Sequence, residues 1–167
     1  MQRYLLLLTS LFIIISANAE IIEKKYTITE PSISQLGEFD QIKFEGSMLT
    51  AIAGQPALPY FSVSLMLPPG EKAVSIEFIG LNEVDLEGDY SIRPYQASRP
   101  LSQPQSEKFY YDEDIYASSE NFPSSKCASV STNYLNGYGF AFSSFTPVRY
   151  NPIEGKVSYY KEVVIKI

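Results

Sequence analysis

The chain reads as an all-β protein, an antiparallel β-sandwich of jelly-roll-like character with one long irregular loop. Three observations point there. Apolar residues recur at every second position in short runs, the signature of half-buried strands. Turn-forming Pro, Gly, Asn and Asp clusters separate these runs at spacings of about ten residues, as in sandwiches and barrels. No stretch carries a helical period of convincing length, which argues against an α/β sheet built from crossover helices.

Taken in order, Ile22, Tyr26 and Ile28 alternate with charged or small residues, and Ile42 and Phe44 do the same before Gly46. Met48 to Ile52 continue toward the clearest strand of all, Tyr60 to Leu67. There Phe61, Val63, Leu65 and Leu67 fall on one face and Ser62, Ser64 and Met66 on the other. Pro59 and the Pro68-Pro69-Gly70 turn close this strand at both ends, because proline cannot donate to a ladder. Val74, Ile76 and Phe78 predict a further strand, and Val84 with Leu86, set among Glu83, Asp85 and Glu87, predict a half-exposed acidic one. Tyr138, Phe140 and Phe142 alternate with Gly139, Ala141 and Ser143. Val148–Tyr150 and Val157–Ile167, joined through Asn151-Pro152-Ile153-Glu154-Gly155, predict a hairpin with a longer loop.

The first nineteen residues stand apart. Arg3 gives a short positive start, Leu5 to Ile15 form an apolar run broken only by Thr9 and Ser10, and Ala17-Asn18-Ala19 supplies an A-x-A cleavage site. The run is shorter than the roughly 20 residues a membrane-spanning helix needs. The expectation is a cleaved signal peptide over 1–19, export to the periplasm or the exterior, and one domain over 20–167.

Composition excludes several functions. With 13 basic and 19 acidic side chains the net charge is −6, and loss of Arg3 makes the remainder more negative. An acidic surface argues against nucleic acid and anionic membranes as partners. The 167 residues include no His and one Cys, Cys127, so neither a Ser-His-Asp nor a Cys-His pair can be assembled, and an intramolecular disulfide is ruled out. One thiolate and no imidazole also leave little for a structural zinc site. No catalytic residue, metal or cofactor is expected, and Cys127 reads as a small packed residue.

One region breaks the strand rhythm. From Pro94 to about Asp114 the sequence is rich in Pro, Ser, Gln, Tyr and charge, with no clean period. Long irregular loops in compact domains are uncommon and often functional. A second irregular stretch, Ala117 to Ser129, carries Pro123, Lys126 and Cys127.

Gly54-Gln55-Pro56-Ala57-Leu58-Pro59, the strand after it and Val74-Ser75-Ile76-Glu77 form one group of motifs. Asn121-Phe122-Pro123, Phe145-Thr146-Pro147-Val148-Arg149-Tyr150-Asn151-Pro152 and the closing Lys156 to Ile165 form another. Their order and spacing, over roughly Phe44 to Ile167, resemble the N-terminal propeptide of gingipain-type cysteine proteases. The resemblance implies a β-sandwich prodomain that assists folding of a secreted cysteine endopeptidase and keeps it latent. It also implies a basic residue on a long loop that enters the protease's specificity pocket as a substrate would. By position that residue is Arg99, followed by Pro100, with Lys108 and Lys126 as the other basic choices. The partner would be the cognate protease domain, in cis or in trans.

A different class of function rests on the tyrosines. Tyr110, Tyr111, Tyr116, Tyr134, Tyr138, Tyr159 and Tyr160 would make a glycan-binding platform if they shared one surface. Tyrosines on sheets more often serve cross-strand packing.

Overall fold

A computed structural model describes residues 20–98, 100, 102 and 110–167. The expected signal peptide, Arg99 and Lys108 lie outside the described residues. The elements are β1 (Glu23–Thr27), β2 (Ser32–Leu36), β3 (Phe39–Lys43), β4 (Met48–Leu49), β5 (Pro59–Met66) and β6 (Glu77–Asp85). A one-turn helix α1 (Glu113–Tyr116) follows, then β7 (Ser131–Leu135), β8 (Tyr138–Phe145), β9 (Val148–Asn151) and β10 (Lys156–Lys166).

Every named strand pair is antiparallel. One sheet centres on β10, which pairs with β6 along one edge; β9 and β1 share the other, β9 against Lys156–Tyr159 and β1 against Glu162–Lys166. The second sheet runs β4-β5-β8-β7, and β2 and β3 form a separate two-stranded ribbon. The first and last named strands therefore lie side by side, and the ladder runs on through Ile22 and Ile167, which exchange both backbone hydrogen bonds at 2.8 and 2.9 Å.

The two sheets face each other across an apolar core. Val63, Leu65 and Phe145 of the β5–β8 pair meet Val157, Tyr159, Val163 and Ile165 of β10, with Ile42 and Val148 at the same depth. Phe145 is central: its ring stacks on Phe61 at 5.5 Å, meets Tyr26 of β1 edge-on at 4.8 Å and lies 6.0 Å from Phe78 of β6. Such pairs add to the burial of the rings themselves. With one thiol and no disulfide, this burial supplies the main cohesion.

The β5 alternation is as expected: Val63, Leu65 and Leu67 are buried and Ser62, Ser64 and Met66 exposed. Pro59 opens the strand, where its missing N–H costs nothing. The β9–β10 hairpin also forms, with Asn151 opposite Lys156.

Three expectations change. Val74 is 91% exposed, and the two strands expected around Val74–Phe78 and Val84–Leu86 are one strand, β6, beginning at Glu77. The strand expected over Met48–Ile52 shortens to Met48–Leu49, with Ile52 exposed. In β8 the core face is Ala141 and Phe145, so Tyr138 and Phe142 point outward despite being the bulkier set. Ala141 sits opposite Leu65, and this crowded inner row admits small residues once Phe145 fills the centre.

Candidate functional site

The segment Gly54–Pro59 is more than the entrance to β5. Gly54 has φ of +82°, a backbone conformation open to glycine at little cost, and the chain there turns tightly with Gln55 N–H donating to Ile52 O. Residues 56–59 are then buried. Thr50 locks the bend: its Oγ1 accepts from Leu58 N–H at 3.0 Å and donates to Pro56 O at 3.2 Å.

Two stretches of chain rest on this platform. From one side, residues 93–95 run antiparallel to 54–57. Gly54 N–H donates to Tyr95 O, Tyr95 N–H to Gln55 O and Ala57 N–H to Arg93 O, at 2.8–2.9 Å. From the other side, Asp112 N–H donates to Gly54 O at 2.9 Å. The Tyr110 ring covers the space where a Cβ on Gly54 would stand, since such an atom would lie 2.6 Å from Tyr110 Cε1. Only glycine fits both the turn and this close approach.

Gln96 joins the two sides directly. Its Oε1 accepts from Tyr110 N–H at 3.0 Å and its Nε2 donates to Tyr110 O at 2.7 Å. That is the exchange of both bonds that a hydrogen-bonded residue pair makes in an antiparallel ladder, here made by a side-chain amide. Nε2 also lies 3.2 Å from the carbonyl oxygens of Pro94 and Tyr95. Residues 96 and 110 are thus held side by side.

Below this point Ile92 is anchored by two tyrosines. Tyr116 Oη donates to Ile92 O at 2.8 Å, and Tyr150 Oη accepts from Ile92 N–H at 3.4 Å while donating to Tyr90 O. Burial pushes the pKa values of both hydroxyls above the usual range. Asp40 completes the seat through Ser91 and Arg93: its Oδ2 accepts from Ser91 N–H and its carbonyl from Arg93 N–H. The sequence motifs converge here, because Tyr150 also exchanges backbone hydrogen bonds with Phe122 at 2.7 and 2.9 Å.

Pro100 is exposed. Lys126 lies elsewhere, on the sandwich flank, where its half-buried Nζ donates to Val148 O at 2.9 Å. Burial, with the nearby Arg149 cation, pushes its pKa down to about 8 against the pull of Glu83. Glu83 in turn accepts from Ser158 Oγ at 2.6 Å and pairs with Arg149 at 3.2 Å. Cys127 is half-buried beside Phe145, and burial raises its thiol to about 11. A thiol held protonated is a poor nucleophile, as a packing role requires.

The seven tyrosines do not share a surface. Tyr110, Tyr111 and Tyr116 belong to the loop feet, Tyr134 and Tyr138 to the β7–β8 end, Tyr159 is buried in β10, and its neighbour Tyr160 is half-buried against Phe78. Among the described residues no group of three or more His, Cys, Asp or Glu is placed to hold a metal ion. Nor is any helix among them long and apolar enough to cross a membrane.

Sequence reasoning found the Gly54–Pro59 motif and the irregular loop but not Gln96, Thr50 or Asp40. A lone polar side chain bonding to backbone leaves no periodic mark.

Comparison with known proteins agrees with this geometry. Among the solved structures that share the fold are two from Porphyromonas gingivalis. One is the complex of the RgpB pro- and mature domains, with 18% identity and a TM-score of 0.68, covering 91% of this chain and 81% of that one. The other concerns the zymogenic latency of gingipain K, with 16% identity and a TM-score of 0.70, covering 90% of this chain and 87% of that one. No curated protein sequence matches. The sequence profile Propeptide_C25 matches residues 18–167, nearly the whole chain. The chain therefore belongs to the Propeptide_C25 family and is a non-catalytic propeptide of the gingipain type.

Proposed function

We propose that this prodomain keeps a gingipain-like cysteine endopeptidase latent by substrate-like inhibition and assists its folding, with Arg99 as the residue offered to the specificity pocket. The observation that carries this reading is the pinning together of residues 96 and 110, which flank Arg99 in the sequence. An arginine offers a rigid fork of donors to a carboxylate at a pocket floor. Pro100 follows it, so cleavage after Arg99 would have to break a tertiary amide that lacks an N–H and carries a rigid ring. A side chain that fills the pocket ahead of a bond that is cut slowly inhibits.

Lys126 is the weaker choice because its ammonium is engaged with Val148 O; Lys108 keeps its place as the other basic residue of the loop. The partner is the mature domain of a gingipain-like protease, in cis or in trans. Residues 1–19 direct export as a signal peptide, and 20–167 form the single inhibitory domain.

The test is inhibition of a gingipain-type cysteine protease by purified 20–167. Wild type inhibits, and Arg99→Ala weakens inhibition by roughly a hundredfold, the loss of a central arginine anchor. Unchanged potency of Arg99→Ala removes Arg99 from the role. Absence of inhibition by wild type overturns the latency reading.

A further inference from the structure

We propose that Gln96 is a positioning residue: its side-chain amide, seated with Tyr110 over Gly54, clamps the two feet of the 96–110 segment and so sets how strongly the segment inhibits. This rests on the reading of the chain as a substrate-like inhibitor.

The geometry has three parts. The 54–57 and 93–95 backbones form a short ladder that ends at Tyr95, and Gln96 extends it by one rung using a side chain in place of a strand. The second foot has its own backbone bond, Asp112 N–H to Gly54 O, but Tyr110 N–H and C=O are both satisfied by Gln96. Gly54 makes the arrangement possible, since a Cβ there would collide with the Tyr110 ring and approach Asp112 N to 3.1 Å. The feet are thus joined by a contact that backbone hydrogen bonding alone would not supply.

The physical consequence is preorganisation. A segment held at both ends has lost part of its conformational freedom before it meets a partner, so less is lost on binding. Glutamine is specific to this task. Glutamate keeps the acceptor for Tyr110 N–H but sets a second oxygen against Tyr110 O, and leucine keeps the bulk without either bond.

The experiment compares wild type, Gln96→Leu, Gln96→Glu and Gly54→Ala in residues 20–167. It measures thermal unfolding, amide hydrogen exchange at Tyr110 and Asp112, and the inhibition constant against a gingipain-type protease. For Gln96→Leu the expected results are near-native unfolding, Tyr110 exchange faster by about tenfold or more, and inhibition weaker by about tenfold. Gln96→Glu gives the same two changes, since its second oxygen faces the Tyr110 carbonyl, and serves if the leucine variant does not fold. Gly54→Ala speeds exchange at both Tyr110 and Asp112. Unchanged Tyr110 exchange in the Gln96 variants overturns the clamp. Faster exchange with unchanged inhibition overturns its role in potency. If wild type does not inhibit, the latency reading falls and the positioning role with it, while the exchange arm still decides whether the clamp exists.

Discussion

The facing sheets and the loop foot are held by different forces. Between the sheets, cohesion is apolar: Phe145, Val63, Val163 and Ile165 are each at most 1% exposed, and their neighbours are aliphatic and aromatic side chains, tyrosine rings among them. At the foot, Leu58 and Ile92 reach the same core, and segments 54–58, 91–96 and 110–116 add a set of directed bonds, from Thr50, Asp40, Gln96, Tyr116 and Tyr150 to backbone groups. Apolar burial is non-directional and tolerates repacking, whereas hydrogen bonds fix position within tenths of an ångström. The sandwich therefore carries stability and the foot carries placement, and the two can be perturbed separately.

The strongest break falls on the sandwich. Phe145→Ala removes the ring shared by Tyr26, Phe61 and Phe78 and leaves a cavity, with an expected loss of about 3–5 kcal/mol in denaturant unfolding. A loss below about 1 kcal/mol would mean that the core does not centre on this ring. Thr50→Val tests the foot with a near-isosteric change. It leaves Leu58 N–H without its side-chain acceptor and is expected to cost about 1–2 kcal/mol, with the larger effect on exchange at Leu58. If Thr50→Val matched Phe145→Ala in cost, the division between stability and placement would fail.

The smallest effect is a pH dependence at the sandwich flank. The Lys126 pKa is lowered to about 8 in the fold from 10.5. Between those values the unfolded chain binds more protons, so wild-type stability rises with pH through that window. Below it both states are charged, and the cost of burying the ammonium is fully present. Lys126→Met removes that contribution. Wild type should therefore gain on the variant as pH rises from 7 to about 10 in paired denaturant titrations. A constant difference would place the ammonium in water.

What the sequence discloses follows the same division. β5 and β10 were legible because burial on one face enforces a two-residue period, and Pro59 and the Pro68-Pro69-Gly70 turn mark the limits of β5. β2 was not, since all five of its residues are exposed and its ribbon rests on β3 alone. β7 escaped for a similar reason, with Ser131, Asn133, Tyr134 and Leu135 exposed. The phase of β8 was misleading because bulk favours the Tyr138–Phe142 face, while space beside β5 favours Ala141. At the foot, Gly54 and its prolines stood out as backbone signals. Gln96 did not, because its partner Tyr110 is set by how the chain folds back and by no local pattern.

The central position of β10 bears on how the chain acquires its structure. β10 is the last of the named strands and the one against which β1, β6 and β9 all align. During synthesis β1 has no partner until β10 has emerged, so this sheet closes only at the end of translation of these residues. Pairing of segments so distant in sequence is slow, in the range of milliseconds to seconds for small β proteins. Until then the edges of β1 and β6 are open to wrong partners, which makes the interval before β10 arrives the period of greatest exposure to aggregation.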